Sequence, residues 1–346
     1  MQLLNVQELM EEKLKNNEFD SYALYIKTSK DEHTFFSKNV NEDTYFDIAS
    51  CGKVLVTTPL ILKTIDKGLL SLGSTLNDFF SNVPDDKRNI TVKDLLTHTS
   101  GIVRHNYGKG THSEILDEIL ARPLKYKTGE DAVYSCSGMV LLGFILEKIW
   151  GDSLENLFEK FLKKPLCYTR SKFNIELNEE NSAVCYRTEN VDGLSHPWDD
   201  ENVRMLQTSA GSGGQFFTLA DIKKFANAVL EKDERLYSKK MFDISEKQYT
   251  AACLGPSRGL GWLYVDEKYS QTGRLFPKGS FGHCGHTGQS IFFSREKDMC
   301  VSLLTNATRC LNKRSGFKGY DYGIVCKMRE EIHNAIKNDL TLEGIL

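Results

Sequence analysis

The chain has 346 residues, 40% of them apolar and 26% charged, with a formal net charge of −3. That length supports a sizeable core in one large domain or two modest ones, with the composition of an ordinary globular protein. Charges of both signs are spread without a basic stripe, which argues against nucleic acid as a partner, and no apolar run approaches the roughly 20 residues of a membrane-spanning helix.

The N-terminal stretch is amphipathic and turns acidic from Glu8, with neither the basic start nor the continuous apolar core of a secretory signal. Nine cysteines, at 51, 136, 167, 185, 253, 284, 300, 310 and 326, are odd in number and irregular in spacing. Neither a disulfide framework nor a zinc ribbon is expected, and the cytoplasm is the expected location.

Leu3, Leu4, Leu9, Met10 and Leu14 recur at helical spacing and predict an opening helix over 3–16. Residues 22–27 and 33–37 read as strands around a polar turn. Next comes Phe46-Asp-Ile-Ala-Ser-Cys-Gly-Lys53, entering the apolar run Val54, Leu55, Ile61, Leu62 and Ile65. A buried helix is expected there, kinked at Pro59 and closed by Gly68. On a helix, Ser50 and Lys53 share a face and can touch. Near the helix N-terminus, unpaired N–H groups favour developing negative charge at Ser50. A serine hydroxyl becomes a useful nucleophile when a neighbouring amine takes or relays its proton. By itself the spacing is a weak signal that occurs by chance, and it reads first as a capping serine followed by an exposed lysine.

Thr91 and Asp94 form a capping-box start leading into Leu95-Leu-Thr-His-Thr-Ser-Gly101. A short helix follows over 113–120, broken by Pro123. The strongest helix opens at Tyr134-Ser-Cys-Ser-Gly138, carries Leu141, Leu142, Ile145, Leu146 and Ile149 on its apolar face, and ends at Gly151. Residues 66 to about 170 are therefore expected to be mostly helical. From 170 to 217 periodicity is poor, which suggests loops beside a cleft. Within them Ala210-Gly-Ser-Gly-Gly214 would let the backbone approach another group closely. Thr218 should cap a helix through Leu230, with Asp221 completing a capping box. Strands are expected over 261–265, 280–284, 289–294 and 299–305, and a last helix over 320–336. Strands at both ends of the chain imply one sheet completed by both termini, with the helical region inserted between them.

Five stretches, in order, resemble the serine β-lactamase and penicillin-binding-protein superfamily, and within it the esterases and peptidases related to class C β-lactamases. They are Phe46–Lys53, Val92-Lys-Asp-Leu-Leu-Thr-His-Thr-Ser-Gly-Ile102, Tyr134-Ser-Cys-Ser-Gly-Met-Val-Leu-Leu-Gly143, Ser209-Ala-Gly-Ser-Gly-Gly-Gln-Phe-Phe-Thr218 with Asp221, and Phe281-Gly-His-Cys-Gly-His-Thr-Gly288. The resemblance covers about residues 20–310. It implies an α+β fold of the β-lactamase/transpeptidase type: a central antiparallel sheet flanked by helices, with an inserted mostly helical lobe. Residues 1–65 plus 215–346 would form the sheet lobe and 66–214 the helical one, in a single catalytic domain.

The resemblance also implies roles. Ser50 is the expected nucleophile and Lys53 its charge partner. Tyr134, in the place of the family's Tyr-x-Asn tyrosine, is the expected general base, its phenolate stabilised by Lys53. Of two competing triplets, His283-Cys-Gly285 takes the functional position and His286 supplies a backbone N–H. That N–H and the N–H of Ser50 would form an oxyanion hole. His98, Thr99 and Ser100 are expected to build a buried turn, and Asp200 and Asn202 either edge the pocket or belong to a solvated loop. This chain departs from the pattern at Cys136, which replaces the asparagine, and at Cys284, which replaces a threonine. A thiol is a weak donor and a weak acceptor, so amide recognition is weakened at both places. With Cys51, three cysteines meet at the motifs. A metal or redox site is a lesser reading, since their spacing is not that of a ligand set, so neither metal nor cofactor is expected.

The function implied is a serine hydrolase that forms an acyl-enzyme on Ser50 and cleaves an ester or amide of a small molecule or short peptide. A catalytically weak ligand-binding protein, an acyltransferase and a β-lactamase are its rivals. The absent signal and Cys136 argue against β-lactam or cell-wall substrates. The sequence carries no indication of oligomeric state.

Overall fold

A computed structural model describes residues 3–103, 108–189, 196–208, 210–250, 254–266 and 270–346; Ser209 and Cys253 lie outside the described residues. Its strands are β1 (Tyr22–Lys27), β2 (Glu32–Phe36), β3 (Phe46–Asp47), β4 (Phe216–Phe217), β5 (Leu263–Tyr264), β6 (Phe281–Cys284), β7 (Ser290–Ser294) and β8 (Met299–Thr305). Six of them make one sheet in the order β2-β1-β8-β7-β6-β5, antiparallel throughout, while β3 pairs with β4. The two ends of the chain meet where β1 lies against β8, Tyr22 opposite Thr305 and Lys27 opposite Cys300.

Both faces are buried along β1 and β5–β8, which is why most of these strands are rich in apolar residues, while the edge strand β2 is only half-buried. Alternate residues serve different cores. Ala23, Tyr25, Ile291, Phe293, Cys300 and Leu304 face the helical region. Leu24, Ile26, Phe292, Val301 and Leu303 face the opening helix Leu4–Lys15 and the C-terminal helix Gly323–Leu342, whose Val6, Met10, Ile332 and Ile336 close that side. A slip of one residue in β1 would exchange the two sets. Leu3 cannot cap the opening helix, and Asp339 does so from across the interface: its Oδ2 accepts the Val6 N–H at 2.9 Å and its Oδ1 the Asn5 N–H at 3.2 Å.

On the other face, Thr91 and Asp94 close the expected capping box on the helix Val92–Leu96. Ser135 caps Cys136–Trp150, which ends at Gly151 in the left-handed region, φ +63°.

Four sequence expectations are corrected. Pro59 does not kink a continuous helix: Lys53–Thr57 forms a π-helical turn and the α-helix restarts at Thr58, so Pro59 falls in its first turn, where a missing N–H does no harm. Thr218 stands at the start of Leu219–Leu230 without a side-chain cap bond. Asp221 turns instead to the chain before β4, accepting the N–H groups of Thr169, Arg170 and Ser171 at 2.9, 3.0 and 2.8 Å. The last helix runs on to Leu342, because its polar final turns carry Asp339, whose burial comes from hydrogen bonding rather than apolar spacing. Helices at Lys239–Ser245 and Ala307–Arg314 stand where the sequence pattern suggested none. No helix among the described residues is long and apolar enough to cross a membrane.

Candidate active site

The chain leaves β3 through a tight reversal. Ala49 takes φ +46°, rare for a residue with a side chain, and its N–H is held by Asp47 Oδ1 at 2.8 Å. Ser50 follows in the 3₁₀ turn Ala49–Cys51, and Lys53 begins the π-helical turn. This places Lys53 Nζ 2.9 Å from Ser50 Oγ, the contact anticipated from their spacing. Lys53 is fully buried and also donates to the Ser212 carbonyl at 2.6 Å. That carbonyl belongs to the glycine segment 210–214, which is packed on both sides. A Cβ on Gly213 would lie 3.4 Å from the Ala49 carbonyl of the Ser50 turn, and one on Gly211 2.1 Å from the Met139 carbonyl of the helix Cys136–Trp150, while one on Gly52 would lie 1.9 Å from Gln215 Oε1.

Tyr134 arrives just before the helix Cys136–Trp150, its hydroxyl 2.7 Å from Ser50 Oγ. Lys53 Nζ lies 5.2 Å from the centroid of the Tyr134 ring. The expectation of a stabilised phenolate is corrected here. Burial, and next the neighbouring Cys136 thiol, push Tyr134 well above its ordinary value, and the hydrogen bond with Ser50 offsets only part of this. Tyr134 is a neutral phenol. Cys136 Sγ sits 3.8 Å from its oxygen, a weak contact. His98 behaves as a structural residue: buried, in the left-handed region at φ +58°, it accepts the Ser135 N–H on Nδ1 at 3.2 Å.

The other wall is β6 and the turn beyond it. His283 is buried on the strand, its Nδ1 2.8 Å from the Cys284 carbonyl. A carbonyl only accepts, so Nδ1 carries the hydrogen and Nε2 is a bare acceptor, buried without a partner. Burial first, then the charges of Lys53 and Arg258, hold His283 neutral, well below the usual histidine range. Burial likewise pushes the Cys284 thiol up to about 11. His286 lies past the strand end and is exposed at the rim. Gly285 abuts the nucleophile turn, where a Cβ would be 2.7 Å from the Ile48 carbonyl, and Cys51 Sγ reaches the His283 carbonyl at 3.7 Å.

These walls enclose a cavity of about 870 Å³, lined by Ser50, Tyr134, Cys136, His283, Cys284 and His286 among others. Asp200 lines it too and caps a short helix, Glu201–Leu206, where a loop was expected; Asn202 on that helix is buried, its Nδ2 3.4 Å from Ser212 Oγ, so the helix braces the segment holding Lys53. Three residues of this neighbourhood escaped the sequence pattern. Arg258 lines the cavity, nearly buried, with its guanidinium carbon 5.7 Å from the Tyr134 ring centroid. Its signal was a charge immediately before the Gly259-Leu-Gly-Trp262 punctuation ahead of β5. Asp47 is buried beneath the turn, and Arg329 is buried behind β6; the latter was visible as a charge on the apolar face of Val325, Met328, Ile332 and Ile336. No group of three or more metal-ligating side chains occurs among the described residues.

The sheet, the inserted helices and the Ser-Lys-Tyr cluster define the β-lactamase class of serine enzymes. The family model described as Beta-lactamase matches residues 6–313, so this chain belongs to that family of serine hydrolases. The N-acetylmuramyl-L-alanine amidase of Bacillus subtilis (strain 168) is 26% identical over 305 residues, covering 76% of this chain and 68% of that protein. The chain spans about two thirds of the length of the curated relatives it matches. EstCE1, described as a hydrolase with promiscuous acyltransferase activity, has a similar fold with a TM-score of 0.77 at 16% identity, over 96% of this chain and 97% of its own. A class C β-lactamase in complex with cefoxitin gives 0.75 at 17% identity, over 96% and 98%.

Proposed function

We propose that this protein carries the acyl group of its substrate on Ser50 and releases it to water, cleaving an ester or amide in a small molecule or short peptide. The observation behind this is that one hydroxyl, Ser50 Oγ, lies 2.9 Å from Lys53 Nζ and 2.7 Å from the Tyr134 hydroxyl at the wall of a large cavity.

A neutral Tyr134 relays a proton rather than storing one. The two hydroxyls can exchange donor and acceptor roles by rotating about their C–O bonds. As Ser50 Oγ bonds to the acyl carbon, its proton passes to the Tyr134 oxygen, and the phenolic proton passes to the departing alkoxide or amine. Water then attacks the acyl-enzyme, its proton entering the Tyr134 oxygen while the phenolic proton returns to Ser50. The positive charge of Lys53 stabilises the serine oxygen as it becomes anionic. The N–H groups of Ser50 and His286 are assigned to the oxyanion, donors worth about 3–4 kcal/mol each in acyl transfer. The close packing of Gly285 on Ile48 and Ala49 supports that assignment.

Cys136 and Cys284 favour esters over amides, since neither thiol replaces a hydroxyl or amide in binding a peptide group. The eight cysteines among the described residues are free thiols, which supports a cytoplasmic location. A cavity of about 870 Å³ also has room for an alcohol acceptor beside the acyl-enzyme, and the likeness to EstCE1 favours acyl transfer as a second reading.

A fluorophosphonate should add one equivalent to the wild type and none to Ser50→Ala, read by intact mass. No Ser50-dependent adduct, with cavity ligands still binding, would leave a binding protein. Under turnover, a mass shift on an added alcohol identifies acyl transfer.

A further inference from the structure

The C-terminal helix Gly323–Leu342 places an arginine directly behind the turn that follows β6. Arg329 is fully buried, yet among the described residues none of its hydrogen-bond partners is a carboxylate. Nη2 donates to the Gly285 carbonyl, Nη1 to Gln271 Oε1, Nε to the Gly288 carbonyl at 3.3 Å, and both terminal nitrogens to the Tyr322 hydroxyl at 3.3 Å. Gln271 and Tyr322 line the active-site cavity, so the guanidinium lies one layer behind its wall.

The Gly285 carbonyl and the His286 N–H belong to one peptide unit. In a planar trans peptide they point in opposite directions. Drawing that carbonyl onto Arg329 therefore aims the His286 N–H away from the guanidinium. The same bond polarises the peptide unit, so the N–H becomes a stronger donor. A buried cation lacking a carboxylate partner also keeps its full field close to the cavity. The turn is tied from its other side as well: Thr287 Oγ1 donates to the Asp47 carbonyl at 3.1 Å, and Gln289 Nε2 donates to the same atom.

We propose that Arg329 is a positioning residue for the oxyanion hole, fixing and strengthening the His286 N–H through the Gly285 carbonyl. This rests on the acyl-enzyme reading above and extends it to a residue that never touches substrate.

The test uses the full chain with Arg329→Met and Arg329→Lys, a 4-nitrophenyl ester as substrate, and phenylboronic acid as a tetrahedral oxyanion mimic. Weakening one donor should lower kcat about tenfold in Arg329→Met with KM within about twofold, because the bond matters in the transition state. The inhibition constant of the boronic acid should rise by the same factor as kcat/KM falls. Arg329→Lys restores the charge without the fork and should recover part of both. A folded Arg329→Met with kcat and boronate affinity within twofold of wild type overturns the proposal, as does Arg329→Lys no better than Arg329→Met. Should Arg329→Met not fold, Arg329→Lys decides: parallel loss of kcat and boronate affinity supports the proposal, and wild-type values overturn it. Fluorophosphonate labelling of Ser50 separates the layers. Labelled wild type with unaffected variants removes only the role of Arg329, whereas unlabelled, inactive wild type removes the acyl-enzyme reading and this proposal together.

Discussion

The two walls of the cavity are built differently. On the Ser50 side, side chains meet side chains: Lys53 and Tyr134 both reach one oxygen, and glycines let a second segment close over them. On the β6 side the construction is backbone, held from behind by Arg329 and Asp47, while its side chains at the cavity include the neutral His283 and the Cys284 thiol. The first wall has what acyl transfer requires of any substrate. The second would help decide which substrate is accepted, and each wall carries one departure from the family's pattern, Cys136 on the first and Cys284 on the second. In the proposed function, making an acyl-enzyme and choosing its acyl group are separable tasks.

The largest effects belong on the first wall. Ser50→Ala should lower kcat by at least about a thousandfold in a steady-state ester assay, leaving the melting temperature near that of wild type. Tyr134→Phe should lower it by about 10²–10⁴, the usual range for a lost proton-transfer group. Because burial holds Tyr134 protonated, the wild-type rate should show no rise as pH passes the ordinary tyrosine value of about 10. A rise there would restore the phenolate base.

This first wall was legible in the sequence because its contacts are short-range or carried by motifs: Ser50 and Lys53 share a turn, and Tyr134 precedes a strongly apolar helix. Most of the sheet was legible for the same reason, β1, β7 and β8 announcing themselves as apolar stretches. What was not legible depends on burial. A lysine beside a tyrosine suggests a phenolate until the surrounding desolvation is known. Arg329 and Asp339 look like surface charges on a long helix until the partners that bury them, the turn at Gly285 and the opening helix, are in place. Asp221 was read as a local cap because its true partners lie about fifty residues earlier.

Two substitutions sharpen the contrast at intermediate size. Cys136→Asn restores a donor and an acceptor beside Tyr134. It should raise kcat/KM for an amide or a chromogenic cephalosporin, relative to an ester, by about tenfold. An unchanged ratio would place selectivity on the β6 wall. Gly52→Ala tests the packing of the first wall. The added methyl meets Gln215 Oε1, and that amide is held by bonds from its Nε2 to the Ala210 and Gly213 carbonyls at 3.2 and 2.9 Å. A loss of about 2 kcal/mol in denaturant unfolding is expected, with a fall in kcat as Lys53 shifts.

Asp47 is the residue that joins the walls. Its carboxylate oxygen holds the Ala49 N–H on one side, and its carbonyl receives Thr287 and Gln289 on the other. Burial first, and then the charge of Asp199, push Asp47 up to about 8, against the pull of the Ala49 and Asp199 N–H groups. An unfolded aspartate titrates near about 3.9. Between those values the folded chain keeps a proton that the unfolded chain releases, so this contribution is complete at low pH and is lost as pH rises through about 8, with a slope of at most about 1.4 kcal/mol per pH unit. Asp47→Asn keeps the oxygen that holds Ala49 but cannot titrate. The stability difference between wild type and Asp47→Asn, measured by denaturant unfolding from pH 5 to 9, should shift against wild type with rising pH. A difference independent of pH would show that Asp47 carries its charge through neutrality and joins the two walls as an anion.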